Sequence, residues 1–209
     1  MEAVSFGALY LIPEALDVVY GSGFGFTARH SSLVALTLCI GPVLSLSMRL
    51  IDQHISTKQK RTNALLEPEA KLIGFYIAAP VYAIALFWFA WTIPPIISPS
   101  AISPFVSMAP LILVGFVAVE FEYVLSGFVT DVYPEFAASA NAPITFVRST
   151  VSGCLPLFGR QMFVNLGSNV AGSVLGGVAV VFCFFALAFW KFGKRLRQSS
   201  KFANSKAES

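Results

Sequence analysis

Long apolar runs, broken at regular intervals by short polar or Gly/Pro-rich segments, dominate the 209-residue chain. The pattern predicts six membrane-spanning helices, over residues 3–20, 31–51, 71–93, 105–129, 136–158 and 169–192. Each is about 20 residues long, enough to cross a hydrocarbon core of roughly 30 Å. GSGFGF at 21–26 is expected to break the first span, and the uncharged PPIISPSAISP at 94–104 to separate the third from the fourth. The polar stretch 52–70 and the segment 159–168 read as loops. Pro42 and Pro80 fall inside spans, where neighbouring helices can satisfy the freed carbonyls. The expected fold is an all-α membrane protein, residues 1–192, followed by a basic tail at 193–209.

Composition adds to that picture. Hydrophobic residues make up 56% of the chain and charged ones only 12%, which excludes disorder and disfavours an ordinary water-soluble domain. The Lys and Arg residues cluster beside apolar runs, so the net charge of +3 is no sign of nucleic-acid binding. Arg49, Lys58, Lys60, Arg61 and Lys71 fall on the same side as the basic tail, whereas Arg29 and Arg160 alone mark the other. The positive-inside rule then puts 52–70, the turn at 131–135 and both termini in the cytoplasm. The three cysteines sit inside spans without CxxC spacing, and His30 and His54 stand alone, so neither a disulfide framework nor a metal site is expected. No nucleotide-binding loop or GxSxG motif is present, no cofactor is expected, and the chain does not read as an enzyme.

Charge inside the spans carries the functional expectation, because a charge at membrane depth costs about 2.5–3.5 kcal/mol on insertion scales and usually faces protein or a wet cavity. In the fifth span Asn141, Thr145, Arg148 and Ser152 recur at intervals of four, three and four, forming one polar stripe. Such a stripe lines a pathway or buries an anchoring arginine. In the fourth span Glu120 and Glu122 stand about 200° apart around the helix and cannot both face one narrow cavity. Glu120 lies about 15 Å and Arg148 about 18 Å from the turn their spans share, so the depths suit an ion pair, with Glu122 facing elsewhere. Glu120 is thus the expected coupling carboxylate. In the first span Tyr10, Glu14 and Asp17 share a face that is either solvated at the membrane surface or turned to a cavity. Gly172 and Gly176 form a small-xxx-small motif for close helix approach.

Several segments carry a resemblance. Glu67-Pro68-Glu69-Ala70-Lys71-Leu72 and Leu86-Phe87-Trp88-Phe89-Ala90-Trp91-Thr92 resemble the PEARL…GLFWFAWT segment of fungal multidrug transporters of the major facilitator superfamily. Tyr123, Asp131-Val132-Tyr133-Pro134, Ala137-Ala138-Ser139-Ala140 and Arg148-Ser149 are similar, in order, to that family's junction between the tenth and eleventh helices. Pro156-Leu157-Phe158, Gln161-Met162-Phe163 and Asn165-Leu166-Gly167 resemble its PLF…QMY.NLG segment, and residues 19–26 the loop after its seventh helix.

The resemblance implies the C-terminal six-helix half of a twelve-helix, drug:proton antiporter-like transporter in the plasma membrane. The polar positions read from helical spacing then give an expected pathway for a small-molecule substrate and protons through Glu120, Tyr123, Asn141, Thr145, Arg148, Tyr10 and Glu14, with Asp52 and Asp131 in cytoplasmic gating, and Glu120 is not carried over from the resemblance. Two departures stand out: Asp52-Gln53 replaces an Asp-Arg pair, and Glu120 and Glu122 occupy positions that are often amide or apolar. The chain reads as starting partway along the seventh helix, so a fragment, or a unit that pairs with a second copy or an N-terminal half, is expected. A non-transporting remnant or a membrane interaction subunit is the alternative from another class.

Overall fold

The computed structural model describes residues 2–60, 73–94, 96 and 103–198, with the side chains of 28, 48, 51–60, 73, 74, 134 and 188–198 outside that description. Six α-helices account for nearly all of it: α1 (Glu2–Leu16), α2 (Ala28–Lys60), α3 (Ile73–Thr92), α4 (Pro104–Val132), α5 (Ala137–Leu166) and α6 (Ser168–Gln198). Five segments, one each in α2, α3, α4 and α6 and one joining α1 to the turn after it, are long and apolar enough to cross a membrane. The thirty residues of α5 are long enough as well, at about 1.5 Å each. Its polar stripe and two prolines hold its hydropathy below that of those five segments. Apolar side chains such as Val174, Val181, Phe184 and Phe185 on α6 point outward, as befits a surface solvated by lipid. The chain is a multi-pass integral membrane protein.

Three boundaries differ from the sequence expectation. The first helix does not stop at Gly21 but widens into a π-helical segment, Asp17–Gly23, and the chain turns only afterwards, with Gly25 at φ 73°. Helix α2 continues past residue 51 as far as Lys60, so part of the expected polar loop is helical. Helix α5 runs through Pro156 and Gly159 to Leu166, and the expected ten-residue loop reduces to Gly167. Gly159 acts as a packing residue here, since a Cβ at that position would stand 2.9 Å from Leu11 Cγ of α1. Gly167 makes the reversal with φ 86°, a conformation other residues rarely adopt.

Packing arranges the helices as neighbouring pairs, α1 with α5, α2 with α4 and α3 with α6, and α3 also packs on α4. Phe121 of α4 inserts between Phe75 and Tyr82 of α3, with ring centroids 5.2 and 5.9 Å away. Gly172 and Gly176 allow α6 to lie against Ala90 and Phe87 of α3, the close approach their spacing predicts. Asn169, at the start of α6, donates to the carbonyls of Ala90 and Ile93 at 2.7 and 2.8 Å. It thereby satisfies acceptors at the end of α3 that would otherwise lack partners. The tightest seam joins α2 and α4. A Cβ on Gly41 would collide with the backbone of Ile112, Gly115 and Phe116, and one on Gly115 with the Leu38 carbonyl. Two helix backbones touch there with no side chain between them.

Candidate functional site: a cleft between α1 and α5

The two carboxylates of α4 leave the helix in different directions, as their two-residue separation requires. The structure then reverses the expected pairing. Arg148 of α5 bonds Glu122, not Glu120, and its Nη1 also donates to Glu2 Oε1 of α1 at 3.1 Å. Its guanidinium carbon lies 4.8 Å from the ring centroid of Phe6. Glu120 turns the other way, toward α2, where its Oε1 takes a hydrogen bond from Ser45 Oγ at 2.7 Å and pairs with Arg49 Nη2 at 3.1 Å. The Arg49 guanidinium in turn stacks over Tyr123, with its Cζ 3.4 Å from the ring centroid. Matching depth could not choose between the two glutamates, because they differ by only two residues along the axis. The face of α4 that turns to α5 made the choice.

Around Arg148 the α1–α5 pair opens into a cleft of about 490 Å³. Phe6, Tyr10 and Glu14 line it from α1, and Arg148, Ser152 and Pro156 from α5. The residues from α1 repeat every four positions and so form one face. A second opening of about 870 Å³ continues from Glu14 past Asp17 and Arg160 to Gly167. Glu14 lines both, so the two openings adjoin along the α1–α5 seam. Two polar atoms beside this groove are buried without a partner among the described residues, Ser152 Oγ and Glu2 Oε2. A groove of this size, mostly apolar and with a few fixed polar groups, matches the dimensions of small-molecule sites.

The expected pathway residues separate into three groups. Tyr10, Glu14 and Arg148 come together in the cleft. Glu120 and Tyr123 belong to the α2–α4 seam. Asn141 sits near the α4–α5 turn, where it donates to Thr130 Oγ1 at 3.3 Å and to the Ala137 carbonyl at 3.0 Å, while Thr145 is exposed outside the cleft. Asp131 is exposed at the end of α4. The Asp52 side chain lies outside the described residues. Sequence reasoning missed Glu2, Phe6 and Arg49 as partners. The first two carried a signal, since Glu2, Phe6, Tyr10 and Glu14 are spaced by fours and extend the face already recognised on α1.

No family model matches the chain, and no solved structure does. Among curated proteins it is 32% identical over 216 residues to an efflux pump, atB, of Aspergillus terreus, a match that covers 98% of this chain and 43% of that protein. It is 32% identical over 201 residues to the multidrug transporter TPO1_2 of Candida glabrata, covering 96% of this chain and 34% of the transporter. With the MFS-type efflux pump MFS2 of Trichophyton rubrum, identity is 31% over 206 residues, 96% of this chain and 33% of the pump. The chain therefore spans about a third to two-fifths of the length of these curated relatives. Six packed helices and matches along almost the whole sequence agree: the chain is similar over nearly its full length to fungal efflux pumps and multidrug transporters, one of them of MFS type, and is a stretch shorter than those relatives.

Proposed function

We propose that this chain supplies one wall of the solute pathway in a transporter that moves small organic molecules by alternating access, in exchange for protons. The observation that carries the reading is the groove along α1 and α5, where Tyr10, Glu14 and Arg148 converge on one open face. Transporters of this architecture bind solute between two six-helix halves and rock one against the other. The opposing wall would come from a second six-helix half, in the same longer polypeptide or in a second copy. The names of the relatives, efflux pumps and multidrug transporters, support export of small organic solutes. The basic residues at 58–61 and in the tail support a cytoplasmic position for those segments and for both termini, and the likeness to the relatives supports the plasma membrane as the location. Asp131, exposed at the end of α4, and Asp52 would then lie at the cytoplasmic gate.

Within this pathway we assign proton coupling to Glu122 in place of Glu120. Glu122 is 39% exposed and holds Arg148 beside the cleft, whereas Glu120 is 17% exposed in a seam on the other side of α4. A coupling carboxylate must meet water, and the exposure of Glu122 beside Arg148 supports the assignment. Purified protein in liposomes tests the assignment. An imposed pH gradient should drive uptake of a small organic solute into the vesicles, Glu122→Gln should abolish the gradient-driven component, and Glu120→Gln should retain it. Gradient-driven flux that survives Glu122→Gln overturns the coupling role. Absence of any flux, from monomeric and dimeric preparations alike, overturns the transport reading.

A further inference from the structure

Helix α6 lies at the rim of the bundle and outlasts its own membrane span. Val170, Val174, Val181, Phe184 and Phe185 are exposed, so the helix turns a flank to lipid along its apolar stretch. That stretch ends at Leu187, yet the backbone continues as one helix to Gln198. At about 1.5 Å per residue the continuation reaches about 16 Å further. Lys191, Lys194, Arg195 and Arg197 fall on it, and α6 contains no acidic residue to offset them. The chain carries none at all between Glu135 and Glu208.

Depth decides what these charges can meet. A headgroup layer is roughly 5–7 Å deep on each side of the hydrocarbon, and leaflet charge acts for a Debye length of about 8 Å beyond it. Counted from Leu187, Lys191 stands about 6 Å along the helix and Arg197 about 15 Å, so the four basic residues fill that zone. Trp190, immediately before them, is of a type that settles at the membrane interface. Helix α2 supplies the contrast. It too overruns its apolar span, which ends at Ser47, but Lys58 and Lys60 come about 16–20 Å later. The stretch between carries Asp52, and its Arg49 is already paired with Glu120. Of these two helices, α6 is the one that brings unmixed positive charge to headgroup height.

We propose that residues 191–197, at the end of α6, form a binding site for anionic phospholipid headgroups of the cytoplasmic leaflet, with Lys191, Lys194, Arg195 and Arg197 as its cations. The inference rests on the cytoplasmic placement of the tail and is independent of which solute the protein carries. Anionic lipid gives that leaflet its negative surface potential, so charge and position agree. Arginine can grip a phosphate or carboxylate through two N–H groups, and lysine adds a compact charge. The effect reaches α3 as well. Asn169 and the close contacts of Gly172 and Gly176 fasten α6 to α3, so lipid held at the end of one helix moors both.

The test uses the full chain in mixed micelles, with Trp190 left as the sole tryptophan by Trp88→Phe and Trp91→Phe, and lipids brominated along their acyl chains as contact quenchers. Brominated phosphatidylserine should quench Trp190 with about fivefold higher apparent affinity than brominated phosphatidylcholine at physiological salt. Raising the salt to roughly 1 M, where the Debye length shrinks to about 3 Å, should erase the preference without any change to the site. Combining Lys191→Gln, Lys194→Gln, Arg195→Gln and Arg197→Gln, at matched elution volume, should erase it too. Trp91, at the far end of α3, should show no preference when it is the sole tryptophan instead. Equal quenching of Trp190 by the two lipids, or a preference untouched by salt or by the four substitutions, overturns the proposal. Loss of the preference to an equal concentration of water-soluble glycerophosphoserine also overturns it, because the ligand would then be a free phosphate and not a membrane lipid. An antibody that reaches a tag placed after Ser209 on intact cells defeats the cytoplasmic placement and leaves the measured lipid preference standing.

Discussion

The two arginine clusters on either side of α4 use the same chemistry for different ends. On the α2 side, Arg49 meets one carboxylate, Glu120, one hydroxyl, Ser45, and one aromatic ring, Tyr123. Charges balance one to one, and both side chains are mostly withdrawn from solvent at 13% and 17% exposure. On the α5 side, Arg148 meets two carboxylates from two different helices, and the cluster opens onto a groove. The first arrangement is a closed clasp whose parts satisfy one another. In the second, an extra carboxylate and an unpartnered hydroxyl leave capacity for something else to bind. An ion pair within a membrane protein is therefore not by itself a sign of function; surplus charge and open acceptors are the better marker.

Four perturbations would break or sharpen this contrast. Arg148→Ala should be the most damaging, because it leaves Glu2, only 5% exposed, without its cation; about 3 kcal/mol of stability should be lost, read as a lowered thermal midpoint in detergent. Exchanging the charges within each cluster comes next. Arg49→Glu combined with Glu120→Arg should recover most of the stability lost in either single variant, since the clasp is one-to-one. Arg148→Glu with Glu122→Arg should fall short of that recovery by roughly 2 kcal/mol, because Glu2 would then face a like charge. Glu120→Gln alone should cost about 1–2 kcal/mol with little change in solute flux, and a loss of flux at normal stability would place Glu120 back in the pathway. Tyr123→Leu should have the smallest effect, roughly 0.5–1 kcal/mol, because the ring is exposed and contributes only its contact with the guanidinium.

How much of this was legible beforehand depended on range. Helix count followed from local hydropathy, and α5 was found in spite of its polar stripe because its apolar positions still outnumber the polar ones. Helix ends were harder. Gly159 and Pro156 carry the local signature of a break, yet the backbone passes through both because Gly159 packs on Leu11, a contact with another helix that no window along the sequence contains. The same applies to charge. Helical periodicity correctly sent Glu120 and Glu122 to different faces, but which face meets α5 depends on how α4 is rotated within the bundle. That rotation is set by contacts such as Phe121 between Phe75 and Tyr82, and by the α2 seam. That Tyr10 and Glu14 share a face was legible because both lie on one helix. Arg49 was not, since its role exists only once α2 and α4 have docked.

The glycine contact between Gly41 and Gly115 has a mechanical consequence. One helical turn and then a second beyond it on α2 stand Ser45 and Arg49, both fastened to Glu120 of α4. The two helices are thus pinned at two separate heights, by steric interlock at one and by charge at the other. A single pin would let one rod swivel about the other; a second removes that freedom, and meshed backbones forbid lengthwise slip. Any rocking motion must then carry α2 and α4 together as a stiff plate.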